Sequence, residues 1–143
     1  MRILGVDYGL KRIGLALSDE DGTIAQPLDY MDGGQAAIVS RQLLRLCQER
    51  NVAKIVVGVP LRLDGTPSDQ TRHTLAFIAQ LRQATTIPVA KWDERLTSVQ
   101  AERALLEANV RRSERRQKID KLAAQIMLQS YLDATNPPPA EES

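Results

Sequence analysis

Apolar positions along this chain change period several times, and the changes mark its elements. Residues 2–7 read as a buried strand, Ile3-Leu4-Gly5-Val6 running into Asp7. Residues 12–19 repeat the pattern after a tight turn through Gly9, and Asp21-Gly22 then supplies a hairpin signal. A third strand over 24–30 carries Pro27, which suits an edge. Beyond Gly33-Gly34 the period becomes helical, with Ile38, Val39, Leu43, Leu46 and Cys47 predicting a helix over 35–50. Residues 53–60 form a continuous Val/Ile run, the mark of a strand buried on both faces, and 61–70 is a polar loop. A helix over 69–84 is predicted to turn Leu75, Ile78, Ala79 and Leu81 inward. A short strand over 87–92 follows, then a helix over 97–109 capped by Thr97 or Ser98, and a last helix over 119–134.

The resulting order, βββαβαβα with one helical insertion, belongs to the α/β class. A meander feeding strand–helix units builds a mixed sheet with helices on its faces. Sites in such sheets gather at the carboxyl ends of the parallel strands. A chain of 143 residues suits one domain, read here as 1–134, with 135–143 a disordered, Pro-rich and acidic tail. Lys and Arg number 19 against 18 Asp and Glu, so a nucleic-acid surface must come from local clustering. The single cysteine, Cys47, cannot form an internal disulfide and sits at a core position. With no leader-like segment and no bilayer-length apolar run, the expectation is a soluble, cytoplasmic protein without membrane contact.

The candidate chemistry lies in acids at element ends. Asp7 closes the first strand, Asp93 and Glu94 close the 87–92 strand, and Asp120 opens the last helix. Strand alternation splits Asp93 from Glu94, so only one of them joins Asp7. Asp120 shares a helical face with Ala123, Ala124, Met127 and Tyr131, whose small and apolar character turns it toward the sheet. Each acid has a plainer role open to it: a turn bond for Asp7, an ion pair for Glu94, a helix cap for Asp120. Together they favour a site. Converging carboxylates repel one another, and a hard divalent cation, Mg²⁺ or Mn²⁺, relieves that repulsion through oxygen ligands. A pair of such ions can activate water and stabilise a leaving oxygen in phosphodiester hydrolysis.

Four stretches carry a family resemblance: "GVDYGLKRIGLALSD", "IVVGVPLRLDGT", "KWDERLTSVQAE" and "KIDKLAAQIMLQSYLD". In order and spacing they resemble the motif blocks of the YqgF family, also called RuvX, over nearly the whole chain before the tail. The resemblance implies an RNase H-like fold, a five-stranded mixed sheet with flanking helices. It also implies a divalent-metal nuclease that acts on precursor 16S ribosomal RNA or on Holliday junctions. The family's site acids match Asp7, Glu94 and Asp120. Arg62 stands where the family usually has asparagine, and Val59 where it usually has leucine.

Basic residues near these blocks are the expected nucleic-acid contacts: Lys11 and Arg12 after Asp7, Arg62, Arg95, and Arg111, Arg112, Arg115, Arg116 and Lys118 just before Asp120. Aromatics make up only 3% of residues, so recognition should rest on backbone shape and charge more than on stacking. His73 reads as a surface residue and Trp92 as packing beside the site. The expected activity is metal-dependent cleavage in 5′-end processing of precursor 16S rRNA, within pre-ribosomal particles, by a monomer or weak homodimer. Branched DNA is the other substrate expected. Two rival classes are a phosphate-binding ATPase or kinase, which would close two such domains over a nucleotide, and a non-catalytic RNA-binding module, which would have no use for three converging carboxylates.

Overall fold

The structure, a computed structural model, describes residues 1–97 and 112–136, with side chains of the last segment from Leu122 onward. Strands β1 (Arg2–Asp7), β2 (Arg12–Ser18) and β3 (Ala25–Asp32) form the meander. Helix α1 (Ala36–Glu49), strand β4 (Val52–Val59), helix α2 (Asp69–Ala84) and strand β5 (Val89–Asp93) follow. A short 3₁₀ turn covers Glu94–Leu96, and helix α3 runs Arg112–Thr135. The predicted helix over 97–109, Arg111 and residues 137–143 lie outside the described residues, apart from Thr97.

The five strands lie in the order β3-β2-β1-β4-β5. β1–β2 and β2–β3 are antiparallel, whereas β1–β4 and β4–β5 are parallel. The mixed sheet is thus the expected one, and β3 with its Pro27 is an edge strand. Because β1, β4 and β5 run the same way, their carboxyl ends share one edge of the sheet.

Alternation along the strands builds two unlike faces. On one face Leu4, Val6, Ile13, Leu15, Ile55 and Val57 pack against Val39 and Leu43 of α1 and Phe77, Ile78 and Leu81 of α2. The opposite face holds Ile3, Ala16 and Val56 against Ala124, Met127, Leu128, Tyr131 and Leu132 of α3. Small residues on that face let α3 come close: a Cβ added to Gly5 would lie 2.8 Å from the Leu128 Cβ. Asp7 follows Ile3 and Gly5 at strand spacing, so it shares the α3 face.

Three expectations need correction. In α2, Leu75 and Ala79 are exposed, and the inward stripe is Thr71, Thr74, Phe77, Ile78 and Leu81. The two threonines are kept inward by local bonds. Thr71 pairs with Ser68 in a capping box and donates to the Pro60 carbonyl, while Thr74 donates to the Gln70 carbonyl. In α1, Ile38 is likewise exposed. Helix α3 begins at Arg112 rather than 119, which places Asp120 in the helix interior and removes the N-cap role. Thr135 is helical, and Asn136 donates from Nδ2 to the Gly22 carbonyl at 3.0 Å.

Candidate active site

Asp7 ends β1 in register with Gly14 of β2. A Cβ added to Gly14 would stand 3.5 Å from both the Asp7 Cβ and the Ala124 Cβ, so α3 closes over the half-buried carboxyl. Glu94 reaches the same place from the end of β5. Ala90 and Trp92 pack on the α3 face, and Glu94 continues that alternation as the 3₁₀ turn begins. Its side chain lies across Gly58 of β4, where an added Cβ would stand 2.7 Å from Glu94 Oε1. A glycine inside a Val/Ile strand is the sequence signal for such a close approach, and sequence reasoning passed over it.

Burial pushes the Glu94 carboxyl up to about 7, helped by the Asp7 charge, a hydrogen bond with Asp7 and, least, the Asp93 charge. When Glu94 carries its proton, it can donate that proton to the Asp7 carboxylate. Asp93 behaves in the opposite way. Its Oδ2 holds Arg95 Nη2 at 2.7 Å and its Oδ1 accepts from the Arg95 backbone N–H at 2.9 Å, which keep its carboxyl below the usual range. Neighbours in sequence, the two acids have been sorted by the end of β5 into one paired with Arg95 and one turned toward Asp7.

A cavity of about 170 Å³ opens beside Asp7, lined by Asp7, Arg12, Gly14, Tyr30 and Ala123. The exposed Arg12 guanidinium lies 5.4 Å from the centroid of the Tyr30 ring, which holds it at the cavity mouth. Tyr30 was not anticipated, since only the β2–β3 pairing brings it here. Lys11 and Arg62 are exposed. Arg95 is engaged twice, by Asp93 and through Nη1 with the Leu63 carbonyl at 3.4 Å. Helix α3 carries positions 112, 115, 116, 118 and 120 on its amino-terminal half, and Asp120 precedes Ala123 and Ala124 by three and four residues. The side chains at 112–121 lie outside the described residues.

Asp7 and Glu94 offer hard oxygen donors whose mutual repulsion a divalent cation would relieve, so the residues fit Mg²⁺ or Mn²⁺. Among the described residues no group of three metal-binding side chains converges, and any third carboxylate must come from elsewhere. His73 is exposed on α2, as expected. Cys47 is buried, which pushes its thiol up to about 11. Trp92 is partly buried and meets Tyr131 edge to face, with ring centroids 5.7 Å apart.

The same architecture occurs in known proteins. Over 94% of this chain and 96% of its own, the Thermus thermophilus RuvC bound to a Holliday junction superposes with a TM-score of 0.55 at 13% identity. A fowlpox virus resolvase complexed with junction DNA gives 0.51 at 14% identity, over 95% of this chain and 99% of its own. These likenesses show the fold. Closer in sequence is a Syntrophomonas wolfei protein named "Putative pre-16S rRNA nuclease", 47% identical over 93% of this chain and 94% of its own. A Thermoanaerobacter pseudethanolicus protein of the same name is 42% identical over 94% of this chain and 97% of its own. The family model described as "RuvX: Holliday junction resolvase" matches residues 1–134, and the chain belongs to the RuvX family.

Proposed function

We propose that this chain is a divalent-metal-dependent nuclease that hydrolyses phosphodiester bonds, with precursor 16S rRNA as its favoured substrate and branched DNA as the second. The observation that carries the reading is the Asp7–Glu94 pair at the carboxyl edge of a mixed sheet, with Glu94 pushed up to about 7. Two acids held together at a fold's carboxyl edge suit cation binding better than packing. Asp7 and Glu94 would hold Mg²⁺ or Mn²⁺, with Asp120 of α3 as the third carboxylate and two ions as the full complement. When bound, such ions activate water and stabilise the leaving oxygen.

The chain's own residues supply the rest. Arg12, set by Tyr30 at the cavity mouth, meets a phosphate entering beside Asp7. Lys11 and Arg62 extend the contact along the backbone, and the basic positions Arg111, Arg112, Arg115, Arg116 and Lys118 add charge near the amino-terminal end of α3. Arg95 acts on the strand mainly through the loop that it holds. Action in the cytoplasm on pre-ribosomal particles, by a monomer or weak homodimer, completes the reading.

The test is a side-by-side assay of the purified chain, with Mn²⁺ or Mg²⁺, on precursor 16S rRNA termini and on a four-way DNA junction. Cleavage of the RNA above that of the junction is expected, and preference for the junction would transfer the reading to the second substrate. Cleavage of neither would end the nuclease reading.

A further inference from the structure

The loop between β4 and α2 is built more firmly than a polar linker requires. Leu61 and Pro67 form an antiparallel bridge. Inside it the Arg62 backbone N–H donates to the Thr66 carbonyl at 3.0 Å, and the Gly65 N–H donates to the Arg62 carbonyl at 2.8 Å. Gly65 takes φ +87°, the left-handed conformation that lets such a short hairpin close. Asp64 Oδ1 accepts from the Thr66 backbone N–H at 2.9 Å and from its hydroxyl at 2.6 Å. Arg95 staples the hairpin to the residue that follows Glu94: its Nη1 donates to the Leu63 carbonyl, and a Cβ at Gly65 would lie 3.1 Å from the same nitrogen.

This stiff tip carries a leucine. Leu63 is 94% exposed, so it gains no packing within the fold. A lone exposed leucine means little. Here, however, Leu10 (53% exposed) lies in the turn after Asp7, and Leu96 (62%) follows Arg95. Three of the seven large exposed hydrophobics among the described residues therefore sit on loops leaving β1, β4 and β5, the edge that holds Asp7 and Glu94. Phosphates offer nothing to leucine side chains, but the faces of stacked bases do. An apolar side chain on a preordered tip can enter a base step without a further ordering cost.

We propose that Leu63 is a wedge that enters a paired base step beside the cleaved phosphodiester, with Leu10 and Leu96 completing an apolar rim. The inference rests on the nuclease reading, and it adds a preference for paired substrate opened at the site. Arg95 is then a positioning residue, holding the wedge in register with Glu94.

The experiment uses the full chain carrying Asp7→Asn, so that substrate stays intact, and paired RNA or a DNA junction with 2-aminopurine at successive positions around the cleaved bond. A fluorescence rise at one step is expected. It should be lost when Leu63→Ser is added, while anisotropy still reports binding, and restored by Leu63→Met. With Asp7 in place, Leu63→Ser should lower kcat on fully paired substrate by roughly tenfold or more, and a mismatch at that step should recover most of the loss. No rise at any position, an equal rise with Leu63→Ser, or equal loss on paired and mismatched substrate would overturn the wedge. Failure of the Asp7 protein to cleave either substrate would instead refute the nuclease reading, and the fluorescence arm would still judge the wedge.

Discussion

Asp93 and Glu94 are adjacent acids with opposite fates, and their environments account for the difference. Arg95 holds Asp93 below the usual carboxylate range, whereas burial and Asp7 push Glu94 up to about 7. For the metal-free protein the sign follows directly. Between about 4.5, the ordinary value, and about 7, the folded state binds a proton at Glu94 that the unfolded chain has released. That contribution to stability is full below about 4.5, falls as pH rises through this window and is flat above it. Urea midpoints in EDTA should therefore decline across the window, and Glu94→Gln should remove most of the decline; an unchanged slope would contradict the assignment. Asp7→Asn removes one of the repelling charges. It should stabilise the metal-free protein near pH 8, yet lower metal-dependent cleavage by on the order of a hundredfold or more. Retained cleavage would remove Asp7 from the site.

At the scale of the element, two glycines separate stability from activity. A Cβ on Gly5 meets the Leu128 Cβ at 2.8 Å, a contact between a strand and the body of α3. Gly5→Ala must push the helix off the sheet, so chemical denaturation should show a loss of roughly 1–3 kcal/mol. A Cβ on Gly58 meets the far end of a side chain, Glu94 Oε1. That carboxyl can swing away, so Gly58→Ala should change stability by less than about 1 kcal/mol. Cleavage should nevertheless fall roughly tenfold to a hundredfold, because the carboxyl has left its position. Equal effects of the two substitutions on stability would show that Glu94 is not held over Gly58 as described.

For the whole molecule, the carboxyl edge is where the chain concentrates features that cost it stability: an acid pair beside one another and exposed leucines. No helix among the described residues is long and apolar enough to cross a membrane. A divalent ion that binds the folded state alone should raise the melting temperature. At a concentration a hundred times its Kd, the gain is about 2.7 kcal/mol. Thermal scans with Mn²⁺ or Mg²⁺ against EDTA should show the rise in the native chain and lose it in Asp7→Asn. An equal rise in both would place the ion elsewhere.

Much of this was legible in the chain read alone. Strand alternation, Val/Ile runs and turn chemistry are local signals, and they yielded the meander, the parallel strands and the placing of Asp7 at the end of β1. The inward face of α2 was not legible, because capping and backbone bonds to Thr71 and Thr74 outweigh the apolar appeal of Leu75 and Ala79. Nor was the start of α3 at Arg112, since a run of bases carries no apolar period. Alternation alone left Asp93 and Glu94 open; the family resemblance pointed to Glu94, and only the packing of α3 on that sheet face gives the physical reason. Tyr30 and the Leu63 hairpin became visible only when strands distant in sequence came into register. Local periodicity writes the elements into the chain, but the meeting of side chains across elements depends on packing, and there the acid pair and its rim are made.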